Sequence, residues 1–127
     1  MNSLRIVFFI ALAMSALGMT AQTRDGEQKL NMQHVGHHGH HSEYFPPADM
    51  PEVYFDSDEM EIIIEADGFA SYYIVEIISM ATYQSMVYTQ IGGYGDNIDV
   101  SSFPPGYYQI EITSSNNNEY EGYFTVE

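Results

Sequence analysis

The chain has no cysteine and no tryptophan, and only three lysine and arginine residues stand against 18 aspartates and glutamates. Without cysteine, disulfide stapling is excluded even in an oxidising compartment, and so is a lipid-modified amino-terminal cysteine. The basic residues are Arg5, Arg24 and Lys29. From Tyr44 to Glu127 there is no Lys, Arg or His, although every acidic residue except Asp25, Glu27 and Glu43 lies in that stretch. Those carboxylates are therefore expected to find no ion-pair partner inside their own domain. A net charge of −15 disfavours nucleic acid and anionic lipid as partners and favours cations or basic surfaces. Because screening relieves unoffset repulsion, added salt or millimolar divalent cation is expected to raise the melting temperature.

Long apolar runs are equally scarce. The one substantial run, Ile6 to Met14, follows Arg5 and precedes the small-residue stretch Ser15-Ala16-Leu17-Gly18-Met19-Thr20-Ala21. It is too short for a membrane span, which needs about 20 apolar residues. Residues 1–21 instead read as a cleavable signal peptide, with cleavage expected after Ala21. The implied location is periplasmic, cell-surface or extracellular, with no transmembrane anchor in the mature chain.

What remains is enough for one domain. Residues 22–50 are polar, contain Pro46-Pro47 and show neither helical nor alternating periodicity, which predicts a disordered leader. From Pro51 onward, turn signals recur between short β-branched and aromatic runs. Residues 51–127 therefore read as an all-β, immunoglobulin-like antiparallel sandwich of about seven strands.

The individual strands follow from alternation. Val53-Tyr54-Phe55 is one. In Glu59 to Glu65, Met60, Ile62 and Ile64 alternate with acids. In Tyr72 to Met80, Glu76 marks the outer face and Tyr73, Val75 and Ile77 the inner. Ser85 to Gln90 is expected to bury Val87, and Gly92 to Asn97 to form a loop. Ile98 and Val100 alternate with Asp99, and Pro104-Pro105-Gly106 turns into Tyr107 to Thr113. The Ser114 to Asn118 loop then returns the chain as a hairpin through Tyr120 to Glu127. Pairing Ile112 with Tyr120 sets Ile110 against Gly122 and Tyr108 against Phe124, a register an aromatic pair would hold.

The carboxyl-terminal stretch, Ile98 to Thr113 with its Phe103-Pro104-Pro105-Gly106-Tyr107-Tyr108 corner and then Tyr120-Glu121-Gly122-Tyr123-Phe124-Thr125-Val126-Glu127, resembles a family of small exported Bacteroidetes proteins of unknown function. The resemblance covers residues 52–127 and implies a seven-stranded immunoglobulin-like sandwich behind a signal peptide. Phe103 and Pro105 depart from the family's usual residues. A more distant likeness is to the carboxyl-terminal sorting domains of the type nine secretion system.

Two features bear on binding. All five histidines, His34, His37, His38, His40 and His41, fall in one tract beside Glu43. Imidazoles on a flexible tract bind zinc, nickel or copper weakly, since the ligands must be ordered on binding. The plainer reading is a solvated tract that changes charge near neutral pH. The second feature is tyrosine, with 11 in the chain. Strand parity turns Tyr72, Tyr107 and Tyr123 outward on what would be one sheet, a surface suited to a glycan or protein partner. Against this, tyrosine is common in strands, and Tyr107 or Tyr108 fits a tyrosine corner that merely holds the turn. The Asp56-Ser57-Asp58-Glu59 and Asp96-Asn97-Ile98-Asp99 clusters do not match calcium-loop spacing and read as turns.

No catalytic constellation is present. Histidine is confined to the leader, and the predicted domain has no lysine or cysteine nucleophile. The sequence thus points to a non-catalytic interaction module with no cofactor. Weak metal binding by the leader and a sorting or surface-assembly role are the alternatives.

Overall fold

The computed structural model of the chain describes residues 26–36 and 45–127. Nine strands are present among them: β1 (Glu27–Lys29), β2 (Gln33–His34), β3 (Glu52–Asp56), β4 (Glu61–Glu65), β5 (Tyr72–Ser79), β6 (Ser85–Gly92), β7 (Gly95–Asp99), β8 (Gly106–Ser114) and β9 (Glu119–Val126). They form two antiparallel sheets, ordered β1-β3-β4-β7 and β2-β9-β8-β5-β6. This is the expected immunoglobulin-like sandwich, with seven strands after Pro51 and two short ones before it. No helix among the described residues is long and apolar enough to cross a membrane.

The core forms where the alternating residues of the two sheets meet. Val53, Ile62 and Ile64 from one sheet face Tyr73, Val75, Ile77, Ile110, Ile112 and Tyr120 from the other, all nearly inaccessible to solvent. The hairpin register matches the expectation, with Ile112 opposite Tyr120, Ile110 opposite Gly122 and Tyr108 opposite Phe124. The last pair stacks at 5.5 Å, and Phe103 packs on Tyr108 at 5.0 Å. Tyr108 is the tyrosine corner. Its buried hydroxyl donates to the Pro104 carbonyl at 2.5 Å, tying the proline turn to the strand it starts, and burial raises its pKa.

Two local expectations change. The strand containing Val87 runs on to Gly92, and its buried residue is Ile91, while Val87 is half-buried. The glycine-rich stretch predicted to be a loop is instead a tight turn at Gly93-Tyr94 between β6 and β7. Gly95 has φ +99 and lies so close to β4 that a Cβ would fall 1.9 Å from the Ile64 carbonyl oxygen. Here glycine marks close backbone approach within a sheet rather than slack.

The largest correction concerns the leader. Residues 26–36 belong to the sandwich, so the domain does not begin near Pro51. β1 pairs with β3 and β2 pairs with β9, each extending one sheet by a short strand. Between them Leu30 and Met32 are buried in the core. The Leu30 amide donates to the Val53 carbonyl at 2.8 Å. Met32 lies over Gly122, where a Cβ would fall 2.5 Å from its sulfur, so the missing side chain at 122 makes the slot that the leader fills.

The added segment also brings a cation into the fold. Lys29 Nζ pairs with Glu52 at 2.7 Å, so Glu52 does have an ion-pair partner, against the expectation from the sequence. The hydrogen bond and charge of Glu52 raise the Lys29 pKa. Both side chains are more than half exposed, so the pair contributes little. Residues 1–21, the expected signal peptide, lie outside the described residues.

Candidate binding surfaces

The outer face of the five-stranded sheet carries the tyrosines predicted to point outward. Tyr107 on β8 and Tyr123 on β9 are about half exposed, with ring centroids 5.4 Å apart and planes only 7° from parallel. Gln109 stands opposite Tyr123 in the β8–β9 ladder. Its amide donates to Glu121 at 2.7 Å and to the Tyr123 hydroxyl oxygen at 3.3 Å, which braces the ring in place and leaves the phenolic proton to donate outward. Partial burial, then the nearby Glu121, raises the Tyr123 pKa. Ile78, opposite Gln109, and Thr125, opposite Tyr107, are uncharged neighbours. The result is a flat aromatic step with polar edges, the kind of surface that stacks on a sugar ring or an apolar side chain.

Tyr72 shares the sheet but not the patch. Its carbonyl accepts from the Ser115 amide at 3.0 Å, which places it at the far end of β8. At strand rise, the stretch from Tyr107 to Ser115 spans about 26 Å. Parity determined the face correctly; position along the strand separates Tyr72 from the other two.

At Tyr72's end of the sandwich a buried carboxylate organises the loops. Asp49, assigned by sequence to the disordered leader, is 4% exposed. Its carboxylate accepts from the Asn116 amide at 3.0 Å, from the Asn118 amide at 3.2 Å and from the Tyr120 hydroxyl. Its main-chain carbonyl accepts from the Tyr73 hydroxyl at 2.6 Å. Burial works against the Asp49 charge, but hydrogen bonds from Ser114, Tyr120, Asn116 and Asn118 outweigh it and hold the pKa below the ordinary carboxylate value. Burial and the Asp49 charge push the Tyr73 pKa up to about 12. Asn116 also donates to the Phe69 carbonyl at 3.2 Å, so one network joins the β3 approach, the β4–β5 loop and the β8–β9 hairpin. Phe69 on the β4–β5 loop and Tyr94 in the β6–β7 turn stand exposed, with the Tyr94 ring lying over Gly68. Sequence reading missed both, and the only signal was an aromatic inside each glycine-containing turn.

Register lines up the acidic residues in rows. Glu27, Asp56, Glu61 and Asp99 face one another across the four-stranded sheet. Glu76, Glu111 and Glu121 do so across the middle of the other. Burial first, then the charges of Glu76, Glu121 and Glu119, raise the Glu111 pKa. A raised carboxylate disfavours the folded state as pH climbs through its folded pKa. Glu111→Gln is therefore expected to stabilise the protein at neutral pH by about 0.5 kcal/mol in low salt. The share of the gain that comes from the neighbouring charges should fade near 1 M salt, where the screening length is about 3 Å, and the share that comes from burial should remain; urea titrations at both salt levels check it.

Among the described residues no group of three or more His, Asp or Glu side chains is arranged to hold a metal ion. His34 is not in a disordered tract: it lies in β2 opposite Tyr120, with ring centroids 5.4 Å apart. His37, His38, His40 and His41 lie outside the described residues. Two surface grooves, of about 340 and 400 Å³, run past Met32 and Pro47 and past Phe55 and Met60, and neither is lined by a histidine or a cysteine.

No protein-family model matches the chain, and no curated protein matches it. Among solved structures it is similar to the crystal structure of a DUF3244 family protein with an immunoglobulin-like β-sandwich fold from Bacteroides vulgatus. The TM-score is 0.62 and the identity 19%, covering 80% of this chain and 99% of that one. The fold is thus the one the carboxyl-terminal motifs implied, and that neighbour comes from a bacterium of the group the resemblance named.

Proposed function

We propose that this chain is an exported, non-catalytic interaction module that receives a glycan or protein partner on the Tyr107–Tyr123 step. The parallel, half-exposed ring pair braced by Gln109 is the observation that carries this reading. Stacking needs two rigid rings already in place, and a rigid tyrosine loses little conformational freedom on binding. Ile78 and Thr125 flank the pair with uncharged side chains, and Glu121, bonded to Gln109, lends one edge an acceptor suited to a neutral, hydroxyl-bearing ligand.

Tyr107→Ser combined with Tyr123→Ser tests the proposal. Both side chains point away from the core, so the thermal unfolding curve should shift little. Loss of a pair of aromatic anchors, at about 2 kcal/mol, corresponds to roughly 30-fold weaker binding. Glycan arrays and pull-downs from the native envelope, run with wild type and variant side by side, read this out. Equal capture by a folded variant would refute the assignment, and recovery of only outer-membrane secretion components would favour the sorting role.

A further inference from the structure

We propose that β6 is a self-pairing edge through which two copies of this chain join, antiparallel across a two-fold axis, into one continuous sheet. Among the described residues β6 has a neighbour, β5, on one side only. A strand in that position offers a row of backbone donors and acceptors that only another extended chain satisfies.

The sandwich's other edges carry the usual safeguards. β1 is three residues long and contains Glu27 and Lys29, β2 is two residues long, and β7 carries Asp96 and Asp99. β6 has none of these. It is eight residues long, Ser-Met-Val-Tyr-Thr-Gln-Ile-Gly, and no charged residue or histidine occurs anywhere from Ile77 to Gly95. Val87, Tyr88, Thr89 and Ile91 are strong strand formers. One irregularity limits the edge: the β5–β6 register shifts between Ile77 and Ile78, which leaves Val87 to Gly92 as the regular stretch.

Charge selects the occupant. A chain of net charge −15 meets carboxylates wherever two copies approach through the acid rows, and the neutral edge is where that penalty is smallest. The nearest carboxylate in the ladder is Glu76, opposite Tyr88 and one strand in. In a β6–β6 pair the two Glu76 residues would stand no closer than about 14 Å, three inter-strand spacings. That exceeds the screening length of about 8 Å at physiological salt and falls well inside the 30 Å at 0.01 M. The pairing is isologous, so it closes at two copies instead of propagating. With the two-fold axis at Thr89, it places Tyr88 and Gln90, both exposed, opposite each other across the axis on the outer face. This surface is separate from the Tyr107–Tyr123 step, so either proposal stands or fails without the other.

Sedimentation of the mature protein at high micromolar concentration tests it. A monomer–dimer equilibrium is expected, with the dimer fraction rising between about 0.01 M and 0.3 M NaCl as screening sets in. Tyr88→Asp with Gln90→Asp places like charges across the two-fold and should give a folded monomer at both salt levels. Hydrogen exchange on the wild type should show protection of Val87 to Gly92 amides that falls on dilution. A monomeric wild type at the higher salt, a dimer persisting in the folded double variant, or a dimer whose β6 amides are no better protected than in the monomer would each overturn the proposal.

Discussion

Replacing Asp49 with Ala is expected to cost about 3 kcal/mol of folding stability, since hydrogen bonds to a charged acceptor are worth roughly 1.5–3 kcal/mol each and their loss strands buried donors. The Asn116 and Asn118 amides and the Tyr120 hydroxyl all converge on this carboxylate. Relief from keeping a charge out of water offsets part of the loss. Asp49→Asn should fall between wild type and Ala, because one acceptor oxygen survives while the new amide turns a donor toward existing donors. The pH dependence has a definite sign. With its folded pKa depressed, Asp49 contributes stability that is present above the unfolded carboxylate value and lost as pH falls through the folded one. Urea midpoints measured as the pH is lowered should therefore fall less steeply in Asp49→Ala than in wild type. Identical slopes would show that folding leaves the Asp49 pKa unchanged, against the depression the hydrogen bonds impose.

The second large effect comes from removing residues 22–36 from a chain that begins at Gln22. Leu30 and Met32 are both buried, and full burial of such a side chain is worth roughly 1.5–3 kcal/mol. The deletion also uncovers the slot over Gly122 and strips the short outer strands from β3 and β9. A total loss of about 3–6 kcal/mol approaches the whole stability of a small domain. The truncated chain is expected to unfold at much lower urea or to populate the folded state only partly. If it melted with the chain that begins at Gln22, residues 26–36 would be decoration rather than core.

These two predictions fall where the sequence was least legible. The strands from Tyr107 to Thr113 and from Tyr120 to Glu127 declared themselves because alternation repeats over many residues, and their register followed from pairing like with like. Leu30 and Met32 form no such repeat. They are two apolar residues in a polar stretch, on either side of Asn31; Met32 is received by the bare backbone of Gly122 and Leu30 is tied to Val53, both far along the chain. Asp49 looked like a loop aspartate because its donors, Asn116, Asn118 and Tyr120, come from the opposite end of the sequence. Short edge strands and buried polar hubs depend on partners that no local pattern reveals.

The candidate surface divides along the same line. Period-two alternation determines which side of a sheet a residue faces, so Tyr72, Tyr107 and Tyr123 were all placed outward correctly. Distance along the sheet depends on register, and there Tyr72 parts from the stacked pair. The Gly92 to Asn97 stretch read as slack because glycine permits loops, yet Gly95 is required by its approach to the Ile64 carbonyl.

The sharpest test of the proposed role is a hydrogen-exchange footprint of the chain from Gln22 onward with and without its captured partner or glycan. New protection is expected at Tyr107 to Gln109 and Tyr123 to Thr125. Protection confined to the loops bearing Phe69 and Tyr94, with the stacked pair unchanged, would contradict it.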